Sequence, residues 1–267
     1  MTNSIDAMVR ERKELAVRLR FFDANLWIGP PDGFPLAEEM PPPELRRAAG
    51  RSYITGGLVS HWLGKTVSPQ DGNRALMESI SVFPADYHAV WTGLPLFPEE
   101  PGPLPGRDKI FERVRGIRLF PRTHRFLLED FVVGSLFDFM VQARLPLFVW
   151  HTELDWPSLY AIAGKYPELT IIVETQTQKI LYHMRTLLPL MRERKNVLLE
   201  TSNLAGQDHL EYGVKTLGPE RFVFGSFMPI FDPLAPIGVI LDARISEEDK
   251  RLVAGGNLRR IVAEVEL

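Results

Sequence analysis

Cysteine is absent from all 267 residues. That single absence removes disulfides, thiolate metal sites and cysteine nucleophiles. A surplus of charge is missing too. The 31 Lys and Arg against 34 Asp and Glu leave a formal net charge of −3, which gives no electrostatic reason to expect nucleic acid or an anionic membrane as partner. No apolar run approaches the roughly 18 residues of a membrane span. Charges interrupt every apolar stretch near the N-terminus, so no signal-peptide core is read there and a cytoplasmic protein is expected. Gly56-Gly57 and Gly255-Gly256 are not phosphate loops, since both lack the spacing and the lysine. Gly225-Ser226-Phe227 lacks the second glycine of a nucleophile elbow.

What is present is enough for a sizeable core: 45% of the chain is hydrophobic. Apolar residues Ile5, Met8, Val9, Leu15, Ala16 and Leu19 recur at near-helical spacing behind Ser4, a candidate N-cap. They predict an N-terminal helical extension over 1–19, packed near the barrel bottom or at a subunit contact. Its charges, Arg10, Arg12, Lys13, Arg18 and Arg20 among Glu11 and Glu14, read as a solvated face. From there strand-like and helix-like segments alternate, the pattern of a parallel sheet with crossover helices. Strands are predicted over 20–28, 54–62, 87–92, 116–120, 147–151, 170–174, 196–201 and 221–225. Their cores are continuous apolar runs, as when helices cover the outside of the sheet. Helices are predicted over 129–143, 159–166 and 179–194, the last kinked at Pro189. Eight strands in about 250 residues predict one (β/α)8 TIM barrel over 20–267. Two proline-rich segments, 29–43 and 94–105, each lie between a strand and the next helix, where loops emerge at the C-terminal face.

Several segments carry a family likeness. Phe22-Asp23-Ala24-Asn25-Leu26-Trp27-Ile28-Gly29 resembles a strand that usually closes Asp-x-His-x-His-x-Gly. Gly116-Ile117-Arg118-Leu119-Phe120-Pro121 is similar to Gly-Val-Lys-Leu-x-Pro, and Leu145-Pro146 to His151 to a strand ending in histidine. Tyr166 to Val173 matches Pro-x-Leu-x-Ile-Ile, and Asn196 to Ser202 resembles a seventh strand. Gly218 to Ser226 is close to Gly-x-x-Arg-x-x-Phe-Gly-Ser-Asp, and Gly255 to Ile261 to a closing Gly-Asn-x-x-Arg-x-Leu helix. In order and spacing the chain resembles the amidohydrolase superfamily, in the amidohydrolase-related branch that also contains metal-dependent decarboxylases.

The resemblance implies a (β/α)8 barrel with a divalent ion at the C-terminal strand ends, activating water or polarising a carbonyl for hydrolysis or decarboxylation. It also implies ligand positions. The two first-strand histidines fall at Asn25 and Trp27, the fifth-strand histidine at His151, the sixth at Thr175 and the eighth-strand aspartate at Phe227. One histidine does not hold a catalytic zinc, which needs about three protein ligands. The expectation is no bound metal and no cofactor. A site rebuilt from His151, Glu174 and Glu200 is the alternative.

The remaining mouth residues are polar and aromatic. His151, Glu174 and Glu200 are the candidates for acid–base chemistry. Asn25, Trp27, Arg118, Gln176, Asn203 and Phe227 are candidate ligand contacts, with Trp62 and Trp150 as further walls. A small carboxylate pairing with Arg118 would suit this set. The plainer reading makes His151 a relic and Arg118 with the acids an ion-pair network. Glu153 reads as a loop residue, and His61 and His88 as structural histidines inside strands; His124, His183 and His209 sit in no partnered motif. Three readings stay open. One is a metal-free relative with a small-molecule pocket that catalyses or only binds; the others are a metal-dependent hydrolase or decarboxylase, and a non-catalytic scaffold, possible also as a homo-oligomer.

Overall fold

The computed structural model describes residues 2–34, 37–95, 112–175 and 180–266. Gln176 and most of the second proline-rich segment therefore lie outside the described residues. Eight parallel strands follow in sequence order: β1 (Phe21–Ile28), β2 (Ile54–His61), β3 (Tyr87–Thr92), β4 (Val114–Leu119), β5 (Leu147–Trp150), β6 (Ile171–Glu174), β7 (Val197–Glu200) and β8 (Phe222–Val223). The helices are α1 (Thr2–Leu19), α2 (Pro42–Arg51), α3 (Leu63–Thr66), α4 (Pro69–Ile80), α5 (Asp130–Gln142) and α6 (Trp156–Lys165). The chain continues with α7 (Met184–Glu193), α8 (His209–Leu217), α9 (Leu234–Asp242), α10 (Glu247–Arg251) and α11 (Asn257–Ala263). This is the expected (β/α)8 barrel with an additional N-terminal helix. Among the described residues no helix is long and apolar enough to cross a membrane.

Four local expectations change. Helix α1 already runs from Thr2, so Ser4 lies inside its first turn rather than at its N-cap. Helix α6 starts three residues earlier than predicted, because the Asp155 carboxylate caps the Ser158 amide at 3.3 Å and Pro157 suits the first turn. Strand β5 ends at Trp150, and His151 opens a 3-10 turn. Strand β8 keeps only two ladder residues, because the backbone beyond it finds other partners. The Phe224 amide bonds Val253 O at 2.9 Å, and the Ser226 amide bonds the Asp23 carboxylate at 3.0 Å.

That last contact belongs to the seam between β8 and β1. Ala24 N donates to Phe224 O and Trp27 N to Met228 O, both at 2.9 Å. Asp23 accepts from the amides of Asn25 (2.8 Å) and Ser226, tying both edges with one carboxylate where β1 shifts register. Helix α1 attaches through its C-terminal half. Ala16 and Leu19 are buried, Arg12 pairs with Asp242 of α9, and Arg18 with Glu247 of α10 at 3.2 Å.

Two apolar layers hold the barrel. One lies between strands and outer helices. The other fills the lower lumen with Phe22, Leu58, Val90, Phe148, Ile172 and Leu198 and is stopped from below by Leu258, Ile261 and Val262. Asn257 anchors that stopper by donating to Pro219 O and Phe222 O, both at 2.8 Å. Leu258 is fully buried, and truncating a buried leucine leaves a cavity as well as losing transfer energy. Leu258→Ala should lower unfolding stability by about 2–5 kcal/mol, measured by urea titration. A loss within the scatter of surface substitutions would mean α11 does not close the lumen.

Candidate functional site

Side chains alternate across a strand, so one parity of each strand faces the lumen. On β2 and just beyond it, that parity carries Leu58, Ser60 and Trp62; on β4 and just beyond it, Gly116, Arg118 and Phe120. Phe148 and Trp150 follow on β5, Ile172 and Glu174 on β6, Leu198 and Glu200 on β7. The lumen therefore rises from an apolar floor through a polar layer to an aromatic one.

Arg118 dominates the polar layer. Its guanidinium grips Glu174 with two bonds, Nε to Oε2 at 2.8 Å and Nη2 to Oε1 at 2.5 Å. It also donates to Ser60 Oγ and, at 3.4 Å, to Ala24 O. The cation lies 4.7 Å from the Trp27 ring centroid and 5.5 Å from that of Phe148, the geometry of cation–π attraction. Arg118 and Glu174 are both fully buried. Burial pushes the Glu174 carboxyl up from its ordinary value, and the facing guanidinium pulls it back.

Glu200 stands beside this pair. Its carboxyl accepts from the amides of Ser202 (2.6 Å) and Thr175 (3.1 Å) and from the hydroxyls of both, at 2.9 and 3.3 Å. Desolvation, reinforced by repulsion from Glu174, nonetheless pushes its pKa from 4.5 to about 8. Gly225 is required opposite it, since any side chain there would collide with the Glu200 carboxyl. Asp23 is raised to about 6, again mainly by desolvation. One guanidinium thus shares the interior with three carboxyls.

Above this lies an aromatic layer of Trp27, Trp62, Phe120, Trp150 and Phe227, with Phe34, Ile230 and Phe231 packed against it. Ring centroids are 4.5 Å apart for Trp27 and Trp62, which are tilted, and 5.7 Å for Trp27 and Trp150 and 5.9 Å for Trp150 and Phe227, the last two in the edge-on arrangement such rings favour. Trp27, Trp62, Phe120 and Phe227 have no exposed surface. Phe227 sits at φ 58°, a left-handed backbone that costs a bulky residue on the order of 1–3 kcal/mol and aims its ring at the centre of the layer. Trp27 Nε1 donates to Asn25 Oδ1 at 2.6 Å. Asn25 Nδ2, Trp62 Nε1 and Trp150 Nε1 are buried with no partner among the described residues, so ring packing holds this layer against a polar cost.

The lumenal place on β5 goes to Trp150, and His151 turns aside. Its Nδ1 lies 3.2 Å from Glu174 O, and its ring 5.5 Å from that of His183. Burial drives its pKa down to about 4, with the Glu174 carbonyl opposing and His183 adding to the drop. His183 Nδ1 accepts in turn from Trp156 Nε1 at 3.3 Å. Asn25, Trp27, Arg118, Glu174, Glu200 and Phe227 are therefore brought together in the lumen, and His151 stands beside it. Asn203 leaves toward the rim, its amide donating to Thr175 Oγ1 at 2.8 Å. Glu153 accepts from the Thr123 amide and hydroxyl at 2.8 and 2.7 Å, a loop-bracing role. His61 accepts from the Leu63 amide at 3.2 Å, and burial lowers the pKa of His88 to about 4. Sequence reasoning missed Ser60 and Phe120, which two-residue parity from Trp62 and Arg118 would have found. It also missed Ser202, one residue from Asn203.

The amidohydrolase family model (Amidohydro_2) matches residues 106–262, more than half of the chain. The chain belongs to the amidohydrolase family. No curated protein matches it by sequence. Similar solved structures include a 5-carboxyvanillate decarboxylase from Sphingomonas paucimobilis, with 17% identity, a TM-score of 0.60 and 82% of each chain covered. A 4-oxalomesaconate hydratase from Rhodopseudomonas palustris gives 14% identity and a TM-score of 0.64 over 91% of this chain and 96% of that one. An uncharacterized TIM-barrel protein from Bordetella bronchiseptica gives 14% identity and 0.63 over 97% and 92%. At such identities the amidohydrolase likeness fixes the barrel and not the reaction.

Two predictions test the lumen. Arg118→Met leaves Glu174 buried without its partner and should cost about 3–5 kcal/mol in urea unfolding. Adding Glu174→Leu should recover part of that loss, because no uncompensated charge then remains. Failure of the second change to recover any stability would show that the pair is not isolated from its neighbours. The second prediction concerns Glu200, whose carboxyl stays protonated in the fold between 4.5 and about 8 but ionises on unfolding. Its contribution to stability is complete below the lower value and is lost as pH rises through the upper one. Melting temperature should therefore fall more steeply across that window in wild type than in Glu200→Gln, whatever the variant's absolute stability. Parallel profiles would contradict a raised Glu200 pKa.

Proposed function

We propose that this chain is a metal-independent member of the amidohydrolase family that binds a small molecule at the C-terminal face and does not catalyse hydrolysis or decarboxylation in its lumen. The observation that carries this reading is the aromatic layer. Trp27 and Phe227 stand at two positions where the family likeness implies metal ligands, and both rings are packed into the mouth with no exposed surface. An indole and a phenyl ring offer a cation no lone pair, and Asn25 and Thr175 are poor transition-metal ligands. The residues present do not fit a divalent ion.

Further support comes from what lies beside and beneath that layer. Among the described residues no group of three or more Asp, Glu or His is placed to hold an ion. The one implied ligand that remains, His151, faces a backbone carbonyl and a second histidine. Arg118 already has a carboxylate, a hydroxyl and two rings around it. A carboxylate ligand would have to displace Glu174 from a sealed interior, which argues against the lumen as the binding place and for the rim of the same face.

The test is metal analysis of protein exposed to zinc and to manganese and then freed of loosely held ions. The expected result is sub-stoichiometric metal, with a melting temperature unchanged by chelator, because an ion that does not bind adds no linkage stability. Stoichiometric zinc or manganese, with a fall in melting temperature on chelation, would overturn the reading and restore a metal-dependent enzyme.

A further inference from the structure

A cleft of about 370 Å³ opens at the rim of the C-terminal face, within the usual range for small-molecule sites. Its walls come from the two loops that follow β7 and β8 and from the first turns of α9. Ser202, Asn203, Ile230, Phe231, Asp232 and Val239 are its main lining residues. Most of the wall is apolar. Ile230 and Phe231 show the cleft one side and the mouth layer the other, which makes that wall firm. Ser202 is also fixed in place. It is 7% exposed, and its amide and hydroxyl are both held by Glu200.

The charge in the lining has one sign. Asp232 is the single ionisable residue among those lining the cleft, and no ion pair to it occurs among the described residues. Its Oδ1 accepts from the Leu234 amide at 2.9 Å at the start of α9, which orients the carboxylate and leaves further acceptor capacity. An apolar trough with a phenyl ring in one wall and a lone carboxylate at its edge complements a ligand with an apolar or aromatic body and a cationic end. We propose that this cleft is a binding site for small apolar amines, with Asp232 as the counter-ion, Phe231 as the apolar wall and Ser202 as a fixed polar contact. The proposal rests on the reading that the ligand site lies at the rim rather than in the lumen, and it names the ligand class that the rim selects.

Phenethylamine, phenethyl alcohol and hydrocinnamate share a body and differ in the charge of the end group. Calorimetric titration of the intact protein with each should rank amine over alcohol over acid. The amine should lead the alcohol by about fivefold, the advantage expected of a partly exposed ion pair. Asp232→Asn keeps an oxygen for the Leu234 amide and should bring the amine down to the level of the alcohol. Ala235 also lines the cleft from α9, so Ala235→Phe should fill it and abolish binding of all three, with an unchanged circular dichroism spectrum as the control for folding. Equal binding of the three probes, no response to Asp232→Asn, or no binding at all would each overturn the proposal. None of these outcomes bears on the metal-free lumen, which metal analysis judges. Conversely, stoichiometric metal would remove the lumen reading and leave the amine preference of Asp232 measurable.

Discussion

The buried contact between Arg118 and Glu174 is the constraint on which the interior depends. It spans the lumen from β4 to β6, and the same guanidinium reaches Ser60 on β2 and the Ala24 carbonyl on β1. Four of eight strands are thus fixed to one planar cation, whose fork of donors suits such bridging better than an ammonium would. A buried ion pair adds little net stability over a good apolar packing. What it supplies here is order, since the guanidinium accepts this set of partners in one arrangement.

The aromatic layer follows from that cation. Trp27 covers Arg118 from above, and the remaining rings then pack on Trp27 and on each other. Phe227 completes the layer only from a left-handed backbone, so local strain is held in place by the packing of the ring it positions. The layer shields the ion pair from water. Shielding strengthens the attraction, and it also raises Glu200, which has no cation of its own. Charge, rings and shifted carboxyls form one interdependent unit across the upper half of the barrel.

Much of this was legible in the sequence. Continuous apolar runs and their spacing gave all eight strands to within a few residues, because buried parallel strands leave a strong pattern. The ends were less legible. Strand β8 stops early because the Phe224 amide turns to Val253 O and the Ser226 amide to the Asp23 carboxylate, and no periodicity reports a tertiary hydrogen bond. Among the candidate site residues, Trp27 and Phe227 face the lumen as the family alignment required. His151 lay one residue from the lumenal register, and the 3-10 turn that rotates it depends on contacts with β6. Of the rim cleft only Asn203 stood out in the sequence, since the cleft is made by two loops some thirty residues apart.

The seam and the stopper have a consequence for how the chain reaches this state. The lumen is completed only when β8 meets β1 and when Leu258, Ile261 and Val262 arrive from α11. Until then Phe22 and its lumenal neighbours stay uncovered. Contacts between residues about two hundred positions apart are slow to form. A partly built barrel, with one open edge and a greasy interior, is the species most exposed to aggregation. The stability of the finished fold therefore does nothing to protect the chain before β8 and α11 are in place.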